Sequence, residues 1–377
     1  MNVPHWPRGN AILTGIYVSR MLGMFMVFPV FSLYAQGLAG ANELLVGIAL
    51  GAYGLTQGLL QIPFGLVSDR IGRRGVIAAG LLLFALGSFL AATADSIHAL
   101  ILARLVQGMG AISAVTMAYA VDITPPEKLG KIMAIIGGSI GMSFVLSLII
   151  GAPLAQWLGV DGLFYLIAAL ALGGLVATLF LPPVAAVSAT ASGHYQRRAL
   201  WQAGFAIFTL HGVFTACFLV LPVMLVAHGL DKLHHWWIYL PANLVALVFM
   251  RYRAVPHPIA FAANFILLAA AFALLALPLP LYLLAAVITL FFIGFYRLET
   301  GLPHWVARIA DPAARGKAMG IYNTCQFFGS FAGAALGGYL WRHSTTPWPV
   351  FVMLAVMAAC AALLLLHWGK QATQTQP

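Results

Sequence analysis

Long apolar stretches alternate with short polar breaks along the whole 377-residue chain. A helix needs roughly 20 apolar residues to cross the hydrocarbon core of a bilayer, and stretches of that order recur between the breaks. The pattern predicts twelve spans, with bounds near 11–36, 43–68, 74–94, 98–122, 127–154, 160–181, 201–227, 235–250, 257–277, 280–304, 313–340 and 347–368. The sequence therefore predicts an all-α membrane protein with twelve transmembrane helices.

The composition indicates that lipid, not water, surrounds most of the chain. Mean hydropathy is +0.96, and 62% of the residues are hydrophobic while 7% are charged. The net charge of +10 does not indicate a nucleic-acid partner, because 14 of the 19 Lys and Arg residues lie in the two tails and in every second loop. Only Lys232 and Arg342 lie in the other loops, so both termini are expected on the cytoplasmic side of a bacterial inner membrane.

A stretch rich in Ala, Ser and Thr lies near the middle of the chain and is predicted to be a cytoplasmic linker, residues 182–200. It separates two predicted six-helix bundles, 1–181 and 201–377. An offset of 186 residues aligns Pro126, Gly130, Lys131, Met133 and Gly151 with Pro312, Gly316, Lys317, Met319 and Gly337. The two bundles are therefore predicted to be pseudo-symmetric copies, and transporters built in this way bind substrate between their repeats.

Four charges lie close together in the short segment between the second and third predicted spans, Gly65 to Arg74. Because hydrocarbon penalises each charge, this loop must lie at a membrane face. Gly65 is expected to permit close helix contact, and Gly72 a sharp reversal of the chain.

These features resemble the major facilitator superfamily. The resemblance rests on twelve spans in two sets of six, on the loop motif, and on Arg104-Leu105-Val106-Gln107-Gly108 in the fourth span. Segments 20–27, 53–57, 61–65 and 318–322 are similar to those of a bacterial drug/proton antiporter in that family. That antiporter carries a soluble domain after its last span, which is expected to be absent here, and the Gly-Pro of antiporters is replaced by Gly151-Ala152-Pro153.

The resemblance implies a conformational role for the loop motif, through Asp69, Arg70, Arg73 and Arg74. Asp69 would face the positive N-terminal end of the eleventh helix, and Arg73 would pair with Asp122 at the end of the fourth span. Both contacts would favour the outward-facing state of two bundles that move around a central cavity. The alternative is that the arginines serve only to set membrane topology.

Among the ionisable residues inside predicted spans, the most costly in lipid are expected to be Arg20, Arg104, His211 and Glu299. Such residues are costly in lipid and usually face a protein interior or an aqueous cavity. Since no carboxylate lies within the middle of the first six spans, Glu299 and His211 are the predicted proton-binding residues. The alternatives are an ion pair between Glu299 and Arg297, and a packing role for His211.

A substrate cavity is predicted from polar side chains at helical spacing and from adaptable methionine. The candidate residues are Arg20, Met24, Tyr53, Gln57, Gln61, Arg104, Gln107, Tyr322, Asn323 and Gln326. The alternative is that these residues pack helices or face lipid.

The sequence contains no phosphate loop, dinucleotide fingerprint or catalytic triad, and His228, His234 and His235 lack the Cys or carboxylate partners of a metal site. It therefore predicts no enzyme, no cofactor and no metal. The predicted function is proton-coupled efflux of small lipophilic or cationic compounds by a monomer, with substrate, protons and lipid as partners. A proton symporter or facilitator for a metabolite or anion, and a non-transporting membrane assembly factor, are the alternatives.

Overall fold

The structure is a computed structural model that describes residues 6–182, 193–250, 257–311 and 314–374. Within these ranges the chain forms helices and turns without a β-strand. The helices are α1 (Trp6–Met26), α2 (Phe28–Ala35), α3 (Glu43–Ile71), α4 (Arg73–Ala92), α5 (Ile97–Gly108), α6 (Ser113–Ile123), α7 (Pro126–Ala177), α8 (Arg197–Ala227), α9 (Trp236–Met250), α10 (Pro258–Leu275), α11 (Leu281–Ile309), α12 (Arg315–Arg342) and α13 (Trp348–Gln374). Most of the predicted linker, residues 183–192, lies outside the described residues, as do Arg251, Arg253 and Pro312.

The helices coincide with the predicted spans but break at places that hydropathy does not mark. The first span consists of α1 and α2, which are bent by 40° around Val27. Pro29 lies in the first turn of α2, where a proline removes no intrahelical hydrogen bond. The fourth span consists of α5 and α6, separated by residues 109–112.

Helix α7 has 52 residues and contains both the fifth and the sixth predicted spans. The break between them is at Gly159, whose φ of +75° lies in the left-handed region that favours glycine. The two spans are therefore joined by a kink at one residue rather than by a polar loop.

Eight of the described helical segments are long and apolar enough to cross a membrane, or nine if the bent pair of α1 and α2 counts as one span. One of the eight covers residues 127–180 and holds two predicted spans. Helix α9 has 15 residues and α12 contains six glycines, and these two predicted spans are not among the eight.

The described helices divide into two compact units. Of the described residues, the first unit contains 6–40 and 52–182, and the second contains 41–51 and those from 193 onward. The predicted bundles and these units differ in residues 41–51, which include the beginning of α3. This stretch packs on α12 within the second unit. A Cβ at Gly47 would lie 2.3 Å from the carbonyl oxygen of Ala334, so the two helix backbones are in contact there. The bundle boundaries themselves stay a prediction.

The core of the first unit is apolar and lies between α1, α4, α6 and α7. Its buried members include Leu13, Ile16, Ile77, Leu81, Val115 and Tyr119. Met24, a predicted cavity residue, is half-buried and packs against this cluster. In this structure Met24 therefore contributes to helix packing.

In the second unit, glycines bring α8 and α12 into backbone contact. A Cβ at Gly329 would lie 2.1 Å from the carbonyl oxygen of Phe208, and one at Gly333 would lie 2.1 Å from that of Gly212. Small residues allow this closeness in membrane helices. The contact brings polar side chains of α12 within reach of those on α8.

Candidate functional site

The loop motif forms a network of ion pairs and hydrogen bonds around Arg73. Gly72 has a φ of +99°, which allows the chain to reverse between α3 and α4 and places Arg73 at the beginning of α4. The Arg73 guanidinium donates through Nε to Asp122 Oδ2 at 2.8 Å, and through Nη1 to Ser68 Oγ at 2.8 Å. The same Nη1 pairs with Asp69. Arg73 thus connects the end of α3 to the end of α6.

The other members of the motif are placed differently. Arg70 is exposed, and Arg74 donates from Nη2 to the carbonyl oxygen of Leu179 at 3.0 Å. A Cβ built at Gly65 would meet no described atom within 4 Å. The close helix contact expected at Gly65 is therefore not formed in this structure, because the space beside that residue is open.

Arg20 is a buried cation held entirely by neutral groups of the first unit. Its side chain, on α1, is 1% exposed. The guanidinium donates to Tyr53 Oη at 2.7 Å, Gln57 Oε1 at 2.9 Å, the Gly110 carbonyl oxygen at 2.9 Å and Ser113 Oγ at 3.2 Å. It also lies 5.4 Å from the centre of the Phe84 ring, within range of a cation–π interaction.

Arg104, on α5, is also buried beside Tyr53. Helix α5 approaches α3 closely because Gly108 has no side chain, and a Cβ there would lie 2.2 Å from the Tyr53 carbonyl oxygen. Arg104 Nη1 donates to Gln107 Oε1, and Gln107 Nε2 donates to Ser88 Oγ at 2.8 Å. The guanidinium lies 5.2 Å from the centre of the Tyr53 ring.

Two buried positive charges therefore lie beside one tyrosine, Arg20 at its hydroxyl and Arg104 near its ring. No carboxylate lies within 4 Å of Arg20 or Arg104 among the described residues. Hydroxyl, amide and ring groups compensate the cost of burying these charges only in part. Gln57 donates to Gln61 at 3.3 Å, and both side chains are fully buried. That these two residues line a substrate cavity stays a prediction.

His211 and Glu299 form a hydrogen-bonded pair in the second unit. His211 lies on α8 and Glu299 on α11, and the distance from Nε2 to Oε2 is 3.0 Å. The side chains are 14% and 32% exposed, respectively. The alternative ion pair with Arg297 is not formed among the described residues.

Gln326 of α12 completes this cluster, since its Nε2 lies 2.9 Å from the same ring nitrogen of His211. One nitrogen cannot donate and accept at the same time. In one arrangement Nε2 carries a hydrogen and donates it to the Glu299 carboxylate. In the other, the imidazole hydrogen lies on Nδ1, Nε2 accepts a hydrogen bond from Gln326 and Glu299 carries a proton. With a neutral imidazole in both, the second arrangement holds one proton more than the first.

Aromatic rings lie beside the cluster of His211, Glu299 and Gln326. The rings of Phe214 and Phe295 are stacked with centres 4.6 Å apart, and each centre lies 6.0 Å from that of His211. Tyr322 is buried, and its hydroxyl has no hydrogen-bond partner within the described part of the chain, while Asn323 is half-buried. The polar cluster is therefore enclosed on one side by low-polarity surface.

Several partners were absent from the sequence prediction. Ser113 and Gly110 hold Arg20 from the break between α5 and α6, Ser88 holds Gln107, and Ser68 holds Arg73. Each is a small residue that contacts a side chain on another helix, and no spacing within one helix indicates it.

Comparison with known proteins agrees with this architecture. The family model described as Major Facilitator Superfamily matches residues 13–300. The chain is 37% identical over 342 residues to the inner membrane transport protein YajR of Escherichia coli (strain K12), covering 86% of this chain and 75% of YajR. It is 29% identical over 374 residues to the multidrug resistance protein MdtH of Cronobacter sakazakii, covering 92% and 90% of the two chains.

Solved structures also match the fold. The crystal structure of the human organic anion transporter MFSD10 aligns with a TM-score of 0.73 at 17% identity, covering 96% of this chain and 99% of that one. Helical architecture, the loop motif and these relatives identify a multi-pass membrane transporter rather than an enzyme. The chain belongs to the Major Facilitator Superfamily.

Proposed function

We propose that this transporter exports small lipophilic or cationic compounds in exchange for protons, by alternating access. The observation that carries the proposal is the 3.0 Å contact between His211 Nε2 and Glu299 Oε2. Glu299 is partly exposed, so water can bring protons to it. The hydrogen bonds of His211 can be formed both with and without a proton on Glu299. The proton carrier is therefore the pair, with Gln326 as its third member.

The surroundings of the pair support a lipophilic substrate. Stacked rings of Phe214 and Phe295 provide flat apolar contacts next to a carboxylate. Such a combination binds an organic cation through its apolar body and its charge. The relative MdtH is a multidrug resistance protein, which supports a substrate of this class.

The test is transport by purified protein in proteoliposomes with an imposed pH difference. Tetraphenylphosphonium and ethidium serve as lipophilic cation probes, and an entrapped pH dye records protons moving in the opposite direction. We expect the wild-type protein to couple the two fluxes and Glu299→Gln to lose the coupling, because glutamine cannot bind a proton. A Glu299→Gln variant that couples as well as the wild-type protein would show that Glu299 is not the carrier.

Thr300→Val is the matched control. Thr300 follows Glu299 on α11, and its hydroxyl donates to the Tyr296 carbonyl oxygen of its own helix at 2.8 Å. Replacing it leaves the His211 contact intact, so coupling should remain. Equal loss in both variants would indicate general damage to α11.

A second candidate is transport of an anion, favoured by the buried guanidinium groups of Arg20 and Arg104. Neither has a carboxylate within 4 Å in the described residues, so both charges are available to attract an anion over a distance. Under an imposed pH difference, an anion symporter moves substrate and protons in the same direction. The sign of the coupled flux separates the two proposals.

We infer further that the ion pairs of Asp69, Arg73 and Asp122 control the conformational cycle. Arg73 holds both carboxylates at the ends of α3 and α6, so neutralising one of them changes a contact that joins two helices. The protein is proposed to act as a monomer in a bacterial inner membrane with both termini in the cytoplasm. The distribution of Lys and Arg and the inner membrane relative YajR support this placement.

A further inference from the structure

A partly open cavity of about 350 Å³ lies in the first unit, where the beginning of α4 meets the end of α7. Its walls are apolar: Ala78 comes from α4, Leu175 and Val176 from the last turn of α7, and Leu179 from the 3₁₀ turn that follows. The volume is at the lower end of the ~300–1,000 Å³ range of ligand pockets. The hydroxyl of Thr178 donates to the Leu175 carbonyl oxygen, so it does not add a free polar group to the wall.

One cation, Arg74, lies at the rim of this cavity. Its Nη2 donates to the Leu179 carbonyl oxygen at 3.0 Å. Unlike Arg73, which holds two carboxylates, Arg74 has no carboxylate within 4 Å in the part of the chain that the structure describes. The guanidinium has five N–H donors, so a single bond to a carbonyl leaves donors for an anion.

The cavity lies at a membrane face. It lies where one membrane-spanning segment begins, at Arg73, and another ends, at Phe180. Leu179 and Phe180 are 63% and 71% exposed. Because large apolar side chains at this depth are covered by lipid, the cavity opens toward acyl chains and the headgroup region together.

We propose that this cavity binds an anionic phospholipid, with the phosphate on Arg74 and the beginning of one acyl chain against Ala78, Val176 and Leu179. An apolar wall with one cation at its rim matches a molecule that has an anionic head and an apolar tail. Arginine binds phosphate through paired hydrogen bonds, and basic pockets between transmembrane helices bind anionic headgroups. The bound lipid would fasten the beginning of α4 to the end of α7, next to Arg73.

The test is native mass spectrometry of delipidated full-length protein titrated with phosphatidylglycerol, with phosphatidylcholine as the zwitterionic comparison. We expect preferential binding of phosphatidylglycerol, weakened about fivefold or more by Arg74→Gln, since one basic residue near a membrane surface contributes about that factor. Arg74→Lys keeps the charge and should retain most of the preference. Inorganic phosphate at the same concentration should not compete, because it lacks the acyl chain.

Matched variants separate the site from general effects. Arg315 is an exposed arginine that also donates to a backbone carbonyl oxygen, that of Ala307, at 3.0 Å, and Arg315→Gln should leave phosphatidylglycerol binding unchanged. Ala78→Leu fills the cavity and should weaken binding, whereas Ala79→Leu, on the exposed neighbour, should not. The proposal is overturned if Arg74→Gln and Ala78→Leu both bind phosphatidylglycerol as the wild-type protein does, or if inorganic phosphate displaces it.

Discussion

Gly108 of α5 lies directly against the backbone of Tyr53 on α3. A Cβ at Gly108 would lie 2.2 Å from the Tyr53 carbonyl oxygen and 2.2 Å from Thr56 Oγ1. The Thr56 hydroxyl meanwhile donates to the Leu105 carbonyl oxygen at 2.7 Å. This closeness holds α3 and α5 at the distance at which Arg20 and Arg104 both reach Tyr53.

Gly108→Ala should therefore destabilise the protein by about 1–3 kcal/mol, because the added methyl group forces two helix backbones apart. Thermal unfolding in detergent, followed by loss of the main peak of the folded protein on size-exclusion chromatography, measures the change. Gly141→Ala is the control: its Cβ would meet no described atom within 4 Å. Alanine is the better helix former, so the control should be as stable as the wild-type protein or more stable.

Gln107 connects a buried cation to α4. Its amide accepts from Arg104 and donates to Ser88. Gln107→Leu keeps the approximate volume but removes the amide acceptor of the buried Arg104 guanidinium, while Ser88 keeps its bond to the Phe84 carbonyl oxygen. We therefore expect a loss of about 2–3 kcal/mol. The same thermal assay measures it. Gln36→Leu, at an exposed glutamine, should have little effect, and a similar loss at both positions would contradict the importance of the Arg104 contact.

The ion pair of Arg73 and Asp122 is suited to a double-mutant cycle. Both side chains are 13% exposed, so water screens their attraction only partly. The cycle of Arg73→Gln, Asp122→Asn and the double variant should give a coupling energy of about 1–2 kcal/mol in thermal stability. Additive effects of the two single changes would mean that the contact does not contribute to stability.

The sequence predicts the helices well because lipid imposes one length and one polarity on each of them. It does less well at breaks, since hydropathy does not distinguish a loop from a kink. Residues 155–159 read as a short connection between spans, yet α7 continues through them and bends at Gly159. Hydropathy also gives no sign that the beginning of α3 packs against α12, where Gly47 allows backbone contact.

The sequence indicates single site residues but not which of them contact one another. The cost of charge in lipid singles out Glu299 and His211, but these residues are on α8 and α11, and no spacing relates them. The same cost singles out Arg20 without indicating Ser113 or Gly110, which hold it. Polar partners on other helices depend on tertiary packing. Glycines show where two helices can approach closely, but the sequence does not show which two helices form a pair.

Asp69 is the residue for which stability and transport should separate most clearly. Its side chain is 27% exposed and pairs with Arg73, which also keeps Asp122 and Ser68 as partners. Asp69→Asn should therefore cost at most about 1 kcal/mol in thermal stability, the upper end for ion pairs near a surface.

Transport should nevertheless fall several-fold in Asp69→Asn if its charge takes part in the conformational cycle. The measurement is the initial rate of probe uptake into inverted vesicles, in which the cytoplasmic face is outside, at matched expression. Asp95→Asn, at an exposed carboxylate between α4 and α5, controls for the loss of a surface charge. Equal rates for the Asp69 variant and the wild-type protein would contradict a conformational role for this carboxylate. The motif would then serve only to set membrane topology, because its arginines are sufficient to hold the loop at the membrane face.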